Sequence, residues 1–124
     1  MLLALGQFTF ETDSASFEEL SRQVEWRHES SDRVGSRPAY QFTGPGVEAV
    51  SISGAVYPGQ IGRTSALNEL EALGEGGEPQ PLVDARGRHH GSFVILALDR
   101  SETLFGRDGA PRRVGFTLDL ERVG

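Results

Sequence analysis

The segment Arg113-Val114-Gly115-Phe116-Thr117-Leu118-Asp119-Leu120-Glu121 alternates without a break, with Val114, Phe116, Leu118 and Leu120 on one face. The other face carries Arg113, Gly115, Thr117, Asp119 and Glu121. A period of two is the signature of a strand with one face in a core and the other wet or at an interface. Just upstream, Asp108-Gly109 is a hairpin turn signal, and Thr103 to Phe105 reads as a short strand entering that turn. The run Phe93-Val94-Ile95-Leu96-Ala97-Leu98 has no polar interruption. It is expected to be a central strand buried on both faces. Pro81 to Asp84 adds another strand.

The N-terminal half repeats the β grammar. Leu3 and Leu5, then Phe8 and Phe10, alternate with a phase slip at Gly6-Gln7, which predicts a bulge or a break between two short strands. Asp13-Ser14-Ala15-Ser16-Phe17-Glu18-Glu19-Leu20 has capping residues ahead of acids and is read as the start of a short helical turn. From Ser21 the pattern is strand-like, with Arg22, Val24, Trp26 and His28 on one side and Gln23, Glu25 and Arg27 on the other. Trp26 is assigned to the core. Glu29 to Pro38 is taken as a polar loop, Tyr40 and Phe42 as a strand, Thr43-Gly44-Pro45-Gly46 as a hairpin connection, and Val50, Ile52 and Val56 as the strand after it.

A single segment has helical spacing: Ala66, Leu67, Leu70 and Leu73 form an apolar stripe behind Thr64 or Ser65 as N-cap, and Gly74, Gly76 and Gly77 end it. The expected class is therefore β-rich α+β. About eight short, mainly antiparallel strands would form a sandwich or partly open barrel, with one α-helix near residues 64–74. The chain has 124 residues and no linker-like block, so residues 1–124 are read as one domain.

Composition narrows the function classes. There is no Cys, which excludes disulfide scaffolds and cysteine-ligated metals, and no apolar run reaches the roughly 18–20 residues of a membrane helix. Met1-Leu2-Leu3-Ala4-Leu5 lacks a basic flank and is read as the beginning of a strand, not a signal peptide. All 12 basic residues are Arg, against 18 acids, for a net charge of −6. That balance argues against a general nucleic-acid binder, which gains affinity by releasing counterions from phosphates.

Catalytic constellations are equally thin. His89 and His90 are adjacent, and neighbouring strand residues point to opposite faces, so they are read as loop residues with no metal assigned. Ser51-Ile52-Ser53-Gly54 lacks the first glycine of a nucleophile elbow, and a Walker phosphate loop needs a Lys that the chain does not have. Gly74-Glu75-Gly76-Gly77 follows the helix, where orphan carbonyls and not N–H donors are presented. No catalytic residue and no cofactor is expected.

The arginines are more informative. Residues 34–47 contain no acid and lie beside Arg33, Arg37, Tyr40 and Phe42, while residues 85–98 contain none and hold Arg86, Arg88, His89 and His90. Arg27, Arg33, Arg37, Tyr40, Tyr57, Arg86, Arg88, Arg112 and Arg113 are accordingly the candidate protein-interface residues, suited to carboxylates on neighbouring subunits. A nucleic-acid-binding module using these Arg-rich loops is the alternative, and the net charge and the lack of aromatic/basic repeats weigh against it.

The order of short motifs resembles one known family. Leu3-Ala4-Leu5-Gly6-x-Phe8-x-Phe10, Gln23-x-x-Trp26-Arg27 and Arg33-Val34-Gly35-x-Arg37-Pro38-Ala39-x-Gln41-Phe42-x-Gly44-Pro45-Gly46 are similar to the GpU family of phage tail proteins. The series continues with Ser53-Gly54-x-x-Tyr57-Pro58, Leu67 to Leu73, Pro81-Leu82-Val83, Gly91-x-Phe93-Val94-Ile95, Asp108-Gly109-Ala110 and Phe116-Thr117-Leu118-x-Leu120-x-Arg122-Val123. Phe93 stands where the family commonly has Trp, and Gly59 where Glu commonly follows Tyr-Pro. The resemblance implies a non-enzymatic tail component of contractile phages or related bacteriocins, assembled in the bacterial cytoplasm. It further implies a place at the baseplate end in several symmetric copies. The implied neighbours are the hub protein, a small LysM-type tail protein and tube or sheath-proximal proteins, with no membrane and no specific nucleic acid.

Overall fold

A computed structural model describes residues 3–11, 15–58, 62–103, 106, 109 and 112–124, and for Ser16, Asp32 and Arg33 the backbone alone. In chain order the elements are β1 (Leu3–Leu5), β2 (Phe8–Phe10), β3 (Ser16–Arg33), β4 (Ser36–Val56), α1 (Thr64–Gly76), β5 (Gln80–Asp84), β6 (His89–Thr103) and β7 (Arg113–Arg122). The fold is β-rich α+β. Seven strands make one sheet in the order β2-β1-β5-β6-β7-β4-β3, with every pairing antiparallel.

The sheet is not closed into a barrel, yet it rolls until its two edges touch through side chains. Phe10 on edge strand β2 meets Phe17 on edge strand β3 edge-on at 6.3 Å and stacks near Phe116 of β7 at 6.5 Å. The concave side holds the core: Leu3, Leu5, Phe8, Phe10, Val50, Ile52, Val56, Leu82, Phe93, Val114, Phe116, Leu118 and Leu120 are all buried. Strands β1, β2, β4 and β7 supply alternate residues to this side, as the period of two requires. The phase slip at Gly6-Gln7 resolves as a break. Leu5 pairs with Phe8 across a two-residue turn, and Gly6 takes a φ of +60° that such tight hairpins demand.

Helix α1 lies over the same core side with Ala66, Leu67 and Leu70 buried. It starts one position before the expected caps: Arg63 occupies the N-cap in an extended conformation and makes no capping side-chain bond. Its guanidinium instead binds the Ser65 hydroxyl at 3.0 Å and Glu69 at 3.2 Å. At the other end the helix runs through Gly74 to Gly76 and closes at Gly77, whose φ of +69° lets its N–H reach the Gly74 carbonyl at 3.2 Å. Arg100 of β6 clamps the helix from below through Asn68 at 2.9 Å and Glu71 at 3.1 Å.

Several expectations are corrected. Phe93 to Leu98 is central but not buried on both faces: Leu96 is 60 % exposed, because a bulge between Ile95 and Ala97 leaves it out of the ladder and α1 covers one face only. The expected Glu29–Pro38 loop is strand on both sides of a Val34-Gly35 turn, with Gly35 at φ +75°. Thr43-Gly44-Pro45-Gly46 does not connect two strands and lies inside β4. At that height β4 pairs with β3 alone, so Pro45 forfeits no ladder bond on its other side, and a Cβ on Gly46 would sit 2.8 Å from the Glu25 carbonyl oxygen. The predicted helical turn near Asp13 gives way to β3 from Ser16, residues 12–14 lying outside the described residues. Thr103 is the end of β6. Phe105 and Asp108 lie outside the described residues, while Gly109, at φ +81°, donates its N–H to the Gly106 carbonyl.

Candidate assembly interface

Strands β3 and β4, of 18 and 21 residues, are longer than the sheet that carries them. Strand β7 pairs with β4 from Ala49 to Val56 only, whereas β3 and β4 stay paired out to Arg33 and Ser36. Residues 24–47 therefore leave the sheet as a two-stranded arm, about 30 Å long at roughly 3.3 Å per residue. Such a ribbon alone in water is marginal at best. Three irregularities in its register, at Val24/Trp26, Arg27/His28 and Ser31/Arg33, sharpen its twist.

The register decides which side of the arm is apolar. Leu20 lies opposite Ile52 and Arg22 opposite Val50, both partners buried in the core. Counting on by twos, the same side of β3 carries Val24, Trp26, His28 and Ser30, facing Glu48, Pro45, Phe42 and Tyr40 of β4. The core-side row of the sheet thus continues past the last residue that the domain covers. Trp26 is 63 % exposed, Phe42 58 % and Tyr40 71 %, and among the described residues the one ring contact on this row is His28 edge-on to Phe42 at 5.4 Å. The assignment of Trp26 to the core is overturned: its alternation is that of a core residue, but none of the described residues forms a layer above it.

Glu48 marks the root of the arm. It is buried, and its two carboxylate oxygens are divided between strands, Oε2 accepting from Arg22 Nε at 3.1 Å and Oε1 from Arg122 Nη1 at 3.2 Å. The Arg22 hydrogen bond holds its carboxyl below the ordinary 4.5, against the opposing effect of burial and with help from Arg122. A carboxylate depressed in this way stabilises the fold fully above its unfolded value, and the contribution disappears as pH falls through the lower folded value. Glu48→Gln should therefore cost about 1–2 kcal/mol at pH 7, given the half-exposed arginines, and nothing below the acid transition. Urea titrations of both proteins at pH 7 and pH 3 check this, and equal gaps at the two pH values would refute it.

Four sequence-predicted interface residues are brought together on the arm. Arg27 donates its Nε to the Pro45 carbonyl at 3.1 Å, which spends it in part on holding the ribbon together. Arg37 and Tyr40 are exposed, and the Arg33 backbone pairs with Ser36. The other five sit elsewhere. Tyr57 is half-buried just after β4; Arg86 and Arg88 lie exposed in the β5–β6 turn; Arg112 is exposed and Arg113 half-buried at the start of β7. That β5–β6 turn is organised by Asp84, whose Oδ1 accepts the N–H groups of Arg86 at 2.9 Å and Arg88 at 3.0 Å while Oδ2 lies 3.2 Å from His90 Nε2. The Arg88 N–H bond is the main cause of the lowered Asp84 carboxyl. Trp26, Phe42 and Glu48 were not singled out from sequence for this role, although the alternation through Trp26 and His28 was visible.

A profile of the Phage P2 GpU family matches residues 6–124. The chain belongs to that family. GpU-family membership makes it a structural component of phage tails, and hence a virion part. A curated relative, the probable tape measure protein of Halomonas phage phiHAP-1, is 30 % identical over 122 residues, which is 96 % of this chain and 14 % of that protein. The GpU-family chain thus spans about 14 % of the length of this relative. Among solved structures, a chain in the virion of a native gene transfer agent particle superposes with a TM-score of 0.63 at 13 % identity, covering 99 % of this chain and 90 % of that one. A chain in the tail of an empty gene transfer agent particle, determined with helical refinement and C6 symmetry, gives 0.59 at 16 % identity, with 100 % and 91 % covered. Both share the fold.

Proposed function

We propose that this GpU-family protein is a non-enzymatic joint at the baseplate end of a contractile tail, present in several symmetric copies that link hub and tube to the surrounding baseplate proteins. The observation that carries this reading is the arm of residues 24–47, which places exposed aromatics and Arg37 well beyond the domain's own core. Exposed apolar surface of that size on a short two-stranded ribbon is the profile of a protein–protein contact. The fold shared with a chain from a sixfold tail supports a ring of copies. The small LysM-type tail protein, tube proteins and sheath-proximal proteins are the expected neighbours. Arg27, Arg33, Arg37 and Tyr40 belong to the contact on the arm, and Tyr57, Arg86, Arg88, Arg112 and Arg113 to contacts with other neighbours.

Replacing Arg33 and Arg37 with Ala should leave the isolated fold intact and keep the chain out of tails. Complementation of a deletion strain, followed by immunoblotting of purified particles, reads the outcome. Normal incorporation of the double variant would show that these arginines are merely solvated.

A further inference from the structure

The arm is stapled on both sides of its root and not at the root itself. On the domain side Arg22 of β3 and Arg122 of β7 clasp Glu48, and from Ala49 onward β4 has a ladder on both of its edges. On the arm side Arg27 donates to the Pro45 carbonyl and the Thr43 hydroxyl donates to the Arg27 carbonyl, both at 3.1 Å. Between these two staples the register jumps from Val24 opposite Glu48 to Trp26 opposite Pro45, so that Glu25 alone stands against Gly46 and Val47. No side chains tie the strands across that step. Glu25 spends its carboxylate on Gln23 of its own strand at 3.3 Å, and Gly46 and Val47 offer no polar side-chain atom. Pro45 has no N–H to give. Gly46 passes the Glu25 carbonyl too closely for a Cβ, which gives the ribbon a contact point to turn on.

We infer that Glu25, Gly46 and Val47 form a hinge on which the arm swings as a lever against the domain. Hinges are a few positions that absorb a change in φ and ψ while the pieces on either side stay rigid, and the two sets of staples define those pieces here. Three supports of the ribbon end at this level: the β7 ladder, the Glu48 clasp and the cover of the core. An open cavity of about 380 Å³ lies between Glu25, Arg27 and Val47 on one side and Glu121 and Arg122 of β7 on the other, and it gives the swing room. The direction in which the arm presents Trp26 and Phe42 is then set by the surface it meets. The swing belongs to the isolated chain, so a wrong place in the tail would leave it standing.

The absence of Cys from the chain allows spin labels to test this. Gln41→Cys/Ala72→Cys puts one label mid-arm and one on α1, both exposed, while Ala72→Cys/Ser101→Cys keeps both exposed labels in the domain. Gln41 lies four residues beyond Pro45, about 13 Å out at roughly 3.3 Å per residue, so a swing of about 20° displaces it by about 5 Å. Pulsed electron–electron resonance on the isolated full-length chain should give the arm pair a distance distribution broader than the domain pair by about that displacement. Equal widths would overturn the hinge. Deleting Val47 leaves one β4 residue opposite Glu25 and keeps Pro45 and Glu48 on their present side, and it should narrow the arm distribution to the domain width. A deletion variant that melts like the parent and stays broad would put the motion elsewhere along the ribbon, and would overturn the hinge as well.

Discussion

Phe10→Ala is expected to lower stability by about 3–5 kcal/mol and the melting temperature by on the order of 10–20 °C. Phe10 is fully buried and touches three rings: Phe8 edge-on at 4.9 Å, Phe17 at 6.3 Å and Phe116 at 6.5 Å. These partners come from β2 itself, from β3 at the far end of the strand order and from β7. Where a closed barrel would join its edges by a ladder of backbone bonds, this sheet joins them by packing around Phe10. Truncation leaves a cavity at that seam, and no ladder between β2 and β3 holds the gap shut. Circular dichroism melts and urea titrations measure the loss, and an unchanged curve would refute the seam.

The second large effect is on assembly and not on folding. Trp26→Ser/Phe42→Ser should leave the stability of the isolated domain within about 0.5 kcal/mol of the parent, since both rings are more than half exposed and neither joins the core cluster. Tails should nevertheless lack the protein. Loss of a central aromatic anchor costs about 2 kcal/mol or more at an interface, roughly thirtyfold in affinity, and two such losses recur at every contact of a ring. Electron microscopy of particles and immunoblots for the chain check this together. Full-length tails with normal content of the double variant would show that the arm's aromatics are not a contact.

The strands were legible wherever one side of a segment faces the core and the other does not. Val114 to Leu120, Val50 to Val56 and the Leu3–Phe10 pair follow the pattern because each alternate residue has a buried partner across the ladder. The helix was legible for the corresponding reason at its own period. Two kinds of error arose where local chemistry had more than one use. Thr43-Gly44-Pro45-Gly46 has turn composition, but glycine and proline also suit a bulged ribbon whose outer edge lacks a ladder partner, and no local signal separates the two. Trp26 has a core residue's spacing, and spacing does not report whether a covering layer exists.

The interface divides in the same way. The acid-free stretches around Arg33, Arg37, Arg86 and Arg88 were visible as composition, yet composition could not tell that the first lies on a projecting arm and the second on a turn held by Asp84. Glu48 gave no signal at all. It lies 26 residues from Arg22 and 74 from Arg122, and only the pairing of three strands brings the charges within hydrogen-bond reach.

By itself, then, the sequence determined the β-rich class, the helix, most of the core and the family, because these rest on short-range periodicity and ordered motifs. Tertiary structure alone decided that the sheet rolls without closing, that β3 and β4 outrun it as an arm, and that a core-like row ends in the open. The physical reason is that strand length and register are settled between segments far apart in the chain, where β7 stops pairing and β3 with β4 does not.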